Sequence, residues 1–199
     1  TTGTMLTNAN LQIPNGYRLL QNWNHQASAS ATLTVVVSQL QPTTTELPFM
    51  PTNGSGKFNP DTPITRGEVA QILYNLSKDK SVQGIAIPYL DTVFGPYKQA
   101  IDFVSSKRYM QGYPDSTFKE DAPITRAEMA VVLSKFYKLE LEGENSFTDI
   151  KQTYWAYPYV VQVSRENMMN GYPDGTFQPK NNCTRAEAAT MFHAAENRT

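Results

Sequence analysis

Apolar side chains recur along this chain in three helical stripes: Val69, Ile72, Leu73 and Leu76; Met129, Val132, Leu133 and Phe136; Ala188, Met191, Phe192 and Ala195. Each follows the i, i+3, i+4, i+7 spacing, which predicts a helix with one apolar face. Every stripe opens in the same way, with Ile64-Thr65-Arg66-Gly67-Glu68, Ile124-Thr125-Arg126-Ala127-Glu128 and Cys183-Thr184-Arg185-Ala186-Glu187. Thr65, Thr125 and Thr184 are N-caps in this reading. Glu68, Glu128 and Glu187, at the third helical position, reach back to the cap N–H and complete a capping box. Ile64 and Ile124 can staple onto Val69 and Met129, while Cys183 and Ala188 keep a weaker version. The arginines recur at intervals of about 60 residues, long enough for a helix pair in each repeat. Helices of two or three turns are marginal alone, so the repeats must stabilise one another by packing.

A second shared segment precedes two of these helices, Gly112-Tyr113-Pro114-Asp115-Ser116-Thr117-Phe118 and Gly171-Tyr172-Pro173-Asp174-Gly175-Thr176-Phe177. Its Gly, Pro and Asp residues predict a tight loop. The first copy, Thr52-Asn53-Gly54-Ser55-Gly56-Lys57-Phe58, aligns on Phe58 but lacks the tyrosine and the Pro-Asp pair. The alternating ligands and closing Glu of a calcium loop are missing. Before the loops, a further helix is expected from Trp155, Tyr159 and Val163 in repeat three, with Pro158 in its first turn, and from Pro96, Ala100, Ile101 and Val104 in repeat two. In repeat one the matching segment is Leu33 to Leu40, where Val35, Val36 and Val37 suit helix or strand; the repeat pattern selects helix.

These copies closely resemble the S-layer homology (SLH) family, whose signature joins an aromatic-bearing helix, a Gly-Tyr-Pro-Asp-Gly-Thr-Phe loop and a Thr-Arg-Ala-Glu helix. Repeat three is the fullest copy, with Phe147, Asp149, Trp155, Gly171 to Phe177 and Thr184 to Glu187 in order. The resemblance implies an all-α fold of three helix-loop-helix repeats packed as one pseudo-threefold helical domain. Residues 1–20 read as a polar flank or linker, and residues 21–199 as the SLH domain, with repeats at about 21–80, 88–140 and 146–197. It also implies a secreted, non-catalytic module of the bacterial cell wall or S-layer, part of a larger surface protein. Its partner would be an acidic secondary cell wall polysaccharide, often carrying pyruvylated N-acetylmannosamine.

Composition narrows the alternatives. A formal net charge of −1 argues against bulk attraction to nucleic acid or an anionic membrane, so an acidic ligand must be held by local charge. The single Cys183 excludes an internal disulfide, and no apolar run approaches a membrane span. Beginning at Thr1 with neither Met nor an apolar leader, the chain reads as a mature or excised portion. No nucleophile elbow, metal cluster or phosphate loop is present, so neither a cofactor nor an enzyme is expected. A helical-repeat protein–protein scaffold without glycan binding is the rival class, and an exposed apolar patch would mark it.

The arginines are the sharpest chemical candidates. A cation at the first helical position opposes the helix dipole, so propensity does not explain its recurrence. Arg66, Arg126 and Arg185, backed by free helical N–H groups, suit bidentate binding of a carboxylate such as a pyruvate ketal. The alternative is a structural ion pair with Asp61, Asp121 or a Glu of another repeat. Tyr113, Tyr172 and Trp155 can stack on a sugar ring or fill the core. Gly112 and Gly171 admit close approach of a ligand, or end a helix; Asp115 and Asp174 cap the loop, or meet a sugar hydroxyl. If grooves form between neighbouring repeats, the one beside the repeat-one loop should be weakest, with Arg126 and Arg185 the stronger pair and Arg66 the weaker.

Overall fold

Capping explains why the three stripes become helices at the expected places. In the computed structural model, α1 (Arg66–Leu76), α3 (Arg126–Phe136) and α5 (Arg185–Glu196) each start on a complete capping box. Thr65 N–H donates to Glu68 Oε2 at 2.9 Å while Glu68 N–H donates back to Thr65 Oγ1 at 3.2 Å. Thr125 with Glu128 and Thr184 with Glu187 repeat the exchange. Their apolar stripes are buried: Val69, Ile72 and Leu73; Met129, Val132 and Leu133; Ala188, Met191, Phe192 and Ala195.

The structure describes residues 5–6, 17–19, 25–26, 37–39, 49–51, 57–82, 89–140, 143–144 and 147–197. They divide into two compact units, Thr1–Leu47 and Pro48–Thr199. In the first, β1 (Met5–Leu6) pairs antiparallel with β3 (His25–Gln26), and β2 (Tyr17–Leu19) with β4 (Val37–Gln39). Of the helix expected over Leu33 to Leu40, the described part, Val37–Gln39, is strand instead: Val37 pairs with Leu19 and Gln39 with Tyr17. A run of β-branched side chains favours extended backbone, and that local preference prevails over the repeat analogy. The remainder of that segment and the repeat-one loop at 52–56 lie outside the described residues.

The second unit is all-α. Two further helices, α2 (Lys98–Ser106) and α4 (Tyr157–Arg165), precede α3 and α5. They pack on the helix of the preceding repeat, α2 on α1 and α4 on α3. Tyr74 of α1 meets Phe103 of α2 edge to face at 5.5 Å. Trp155 departs from the expected stripe, because α4 begins only at Tyr157 and leaves this indole 58% exposed, while Val160, Val161 and Val163 turn inward.

The pseudo-threefold axis is built from backbone. Ile64 N–H donates to Cys183 O at 2.9 Å, Cys183 N–H to Ile124 O at 3.0 Å, and Ile124 N–H to Ile64 O at 3.1 Å, closing a ring of three bonds around fully buried side chains. Just outside it, the first two N–H groups of each capped helix donate to carbonyls of the next repeat. Arg66 and Gly67 bond Ala122 and Glu120; Arg126 and Ala127 bond Asn181 and Pro179; Arg185 and Ala186 bond Thr62 and Pro60. The order of packing is thus one onto two, two onto three, three onto one. With Thr caps on the third N–H, the helix starts offer no free donors, so the free N–H groups expected from sequence are absent here.

Helix ends are closed without glycine. Arg108, Lys138 and Asn167 take left-handed backbone (φ 60°, 52° and 54°) just past α2, α3 and α4. Paired backbone bonds there, such as Arg108 N–H to Ser105 O and Tyr109 N–H to Val104 O, form Schellman ends. Gly112 and Gly171 are therefore not helix caps. A Cβ at Gly112 would lie 2.2 Å from Tyr89 Cε1, and one at Gly171 2.3 Å from Phe147 Cε1. Close approach explains these glycines, and the approaching group is an aromatic ring of the same repeat.

Candidate functional site in the grooves between repeats

Each arginine of the repeated motif is buried, at 3–5% exposure, and reaches into the next repeat. Arg66 Nε donates to Phe118 O at 2.9 Å and Nη2 to Gln111 O at 2.8 Å. Arg126 does the same with Phe177 O at 2.8 Å and Asn170 O at 2.7 Å. Arg185 reaches Phe58 O at 2.6 Å and Pro51 O. The guanidinium of Arg66 lies 4.9 and 4.7 Å from the ring centres of Tyr113 and Phe118, and that of Arg126 lies 4.9 and 4.6 Å from Tyr172 and Phe177. These contacts combine charge-assisted hydrogen bonds with cation–π attraction.

The third nitrogen distinguishes the copies. Arg185 Nη1 hydrogen-bonds Glu68 Oε1 directly. Arg66 Nη1 stands 3.7 Å from Glu128 Oε1 and Arg126 Nη1 3.9 Å from Glu187 Oε1, ion pairs beyond hydrogen-bond reach. In every case the partner is the capping-box glutamate of the next repeat, so one carboxylate oxygen caps its own helix while the other faces a neighbour's arginine. The structural pairing weighed from sequence is present; it uses these glutamates.

Packing order decides which loop each arginine meets. Arg66 stands beside the Gly-Tyr-Pro-Asp loop of repeat two, Arg126 beside that of repeat three, and Arg185 beside repeat one. Among the described residues, cavities are seen beside Arg66 and beside Arg126. The first, about 240 Å³, gathers Arg66, Gly112, Tyr113, Glu128, Lys135 and Trp155. The second, about 390 Å³, gathers Arg126, Gly171, Tyr172, Glu187, Thr190 and Ala194 among others.

Asp115 and Asp174 line neither cavity. Their Oδ1 atoms accept the hydroxyls of Thr117 and Thr176 at 2.6 Å and the backbone N–H groups of the same residues. Those hydrogen bonds, the hydroxyl first, lower the pKa of both carboxyls. These aspartates shape the loop. Sequence reading attached no role to a second acidic pair, Asp91 and Asp149, whose carboxylates clamp the end of the loop through the N–H groups of Phe118 with Lys119 and Phe177 with Gln178. It also passed over Lys135, whose position ten residues past the cap could be compared with Asn75 and Ala194 from the repeat alignment alone. Among the described residues, no group of three His, Cys, Asp or Glu side chains is disposed to hold a metal.

A ring-closed helical module of three repeats, with arginine-floored grooves between copies, is what fold and site define together. The chain belongs to the S-layer homology domain family, whose profile matches residues 46–70, 89–130 and 146–189, more than half of its length. It is 34% identical over 157 residues to cell surface glycoprotein 1 of Acetivibrio thermocellus, covering 72% of this chain and 7% of that protein. It is 42% identical over 90 residues to the cellulosome-anchoring protein of the same organism, covering 43% and 20%. The surface layer protein of Brevibacillus choshinensis is 32% identical over 122 residues, 56% of this chain and 11% of that one. This chain therefore spans a fifth or less of the length of these relatives.

Proposed function

We propose that this module holds a larger surface protein to the bacterial cell wall by binding an acidic wall polysaccharide in the grooves floored by Arg66 and Arg126. The observation that carries the reading is that Arg66 and Arg126 each line a cavity beside a half-exposed tyrosine, with Nη1 ion-paired but without a hydrogen bond among the described residues. A carboxylate or a hydroxyl on a sugar ring matches that pairing, with its oxygen on the guanidinium and the apolar ring face on the aromatic. Relatives whose names refer to a surface layer and to cellulosome anchoring support export and anchoring of this chain as well. Nothing in the grooves calls for bond making or breaking; holding is the function.

Scaffolding by protein contact is the second reading, favoured by one observation. Leu90, Val93 and Phe94 are 75%, 45% and 100% exposed on the segment before α2. Co-sedimentation with purified cell walls separates the two. Binding should be lost once the attached polysaccharide is removed chemically, and should weaken when only the pyruvyl groups are removed by mild acid. Undiminished binding to stripped walls would refute the glycan reading and support the scaffold.

A further inference from the structure

The two tyrosine-bearing grooves differ in charge. Counted from the Thr caps, α3 carries Val131 and Lys135 along its groove flank where α5 carries Thr190 and Ala194. Lys135 is half-buried, and its side chain has neither a hydrogen bond nor an ion pair among the described residues. The first groove thus sets Arg66 and Lys135 against Glu128, one positive charge in excess. The second sets Arg126 against Glu187 and is balanced. Lys119, on the loop of the first groove, stacks on Tyr113 at 4.2 Å and pairs with Asp115, outside the cavity lining.

Resting on the glycan-binding reading above, we propose that Lys135 makes the Arg66 groove the selective site for the acidic substituent of the wall glycan, while the Arg126 groove takes neutral units of the same chain. An anion approaching either arginine also approaches the capping glutamate beside it, whose charge offsets most of the arginine's field. Attraction then depends on a second cation, which among the described residues lines the first of these two cavities and not the second. Trp155, exposed at the rim of that groove, adds a stacking face that the lining of the second lacks. The first groove reads charge and ring together; the second reads ring and hydroxyls.

Isothermal titration of the full chain with pyruvylated wall polysaccharide, and with the same polymer after mild-acid removal of pyruvate, tests this. The quantity read is the ratio of the two affinities. In Lys135→Gln that ratio should fall roughly 5- to 10-fold, with a shallower salt dependence, and in Ala194→Lys the weaker site should gain preference for the pyruvylated polymer. An unchanged ratio in both variants overturns the role of Lys135 and leaves glycan binding standing. Wild type that binds neither polymer overturns both. The Lys135 side chain has no hydrogen bond or ion pair among the described residues, so unchanged thermal midpoints accompany the expected result.

Discussion

Replacing Arg126 by alanine removes an inter-repeat clasp whose parts can be counted. Two charge-assisted hydrogen bonds, to Phe177 O at 2.8 Å and Asn170 O at 2.7 Å, are lost, and both carbonyls are left without that donor. Glu187 also loses the cation 3.9 Å away, and the slot between Tyr172 and Phe177 empties. A hydrogen bond to a charged group contributes about 1.5–3 kcal/mol, and breaking a buried pair by deleting one partner costs roughly 3–5 kcal/mol. Against a total of about 5–15 kcal/mol for a domain of this kind, the expected loss is severe. Urea unfolding followed by far-UV circular dichroism should show the midpoint fall in Arg126→Ala with one transition retained. Arg126→Lys should recover less than half, because an ammonium cannot serve the two carbonyls with a planar fork. A loss below about 1 kcal/mol would place the guanidinium with ordinary surface ion pairs and refute the clasp. Weakened glycan binding by an Arg→Ala variant therefore reports folding as well as recognition, so Lys135 is the cleaner probe of the groove.

Cys183 sits at the backbone ring, fully buried, and loss of solvent pushes its thiol up to about 12. A folded sample should resist a thiol reagent at neutral pH and react on the timescale of global unfolding; rapid labelling of native protein would show that the axis opens locally. Glu120 is buried with Oε2 unpartnered among the described residues, where repeats one and three carry Pro60 and Pro179. Burial first, then repulsion by Asp121 and Asp91, raises its pKa. Because the folded value lies above the unfolded one, the penalty is absent below the ordinary glutamate range and sets in as pH rises through the raised value. Glu120→Gln should consequently raise the thermal midpoint at neutral pH and lose that advantage in acid; an advantage independent of pH would refute the assignment.

Local rules carried the sequence reading wherever the determinant was local. The capping boxes at Thr65, Thr125 and Thr184 depend on four consecutive residues, and the stripes beginning at Val69, Met129 and Ala188 depend on helical period. The destination of an arginine side chain does not. Arg185 bonds Phe58, more than a hundred residues away, and only the order of packing decides whose loop it meets. That order sets Arg66 beside repeat two and Arg185 beside repeat one. Repeat analogy failed at Val37–Gln39 for the opposite reason, since a local preference for extended backbone outweighed likeness to distant copies. Trp155 was legible as an aromatic that stacks on a sugar or fills the core, and a helix that starts two residues later turns this first expected stripe position outward.

The three-bond ring at Ile64, Ile124 and Cys183, with its outer circle of helix-start hydrogen bonds, has a mechanical consequence. An open stack of repeats has two ends, and each end repeat is held by one interface and can peel away alone. Here repeat three returns to repeat one through Arg185, Glu68 and Phe58, so every repeat has two neighbours and none is terminal. Freeing any one copy means parting two interfaces at once, and a pull on one side is shared around the circle. For a module that holds its load against shear, this favours failure as a whole over gradual fraying.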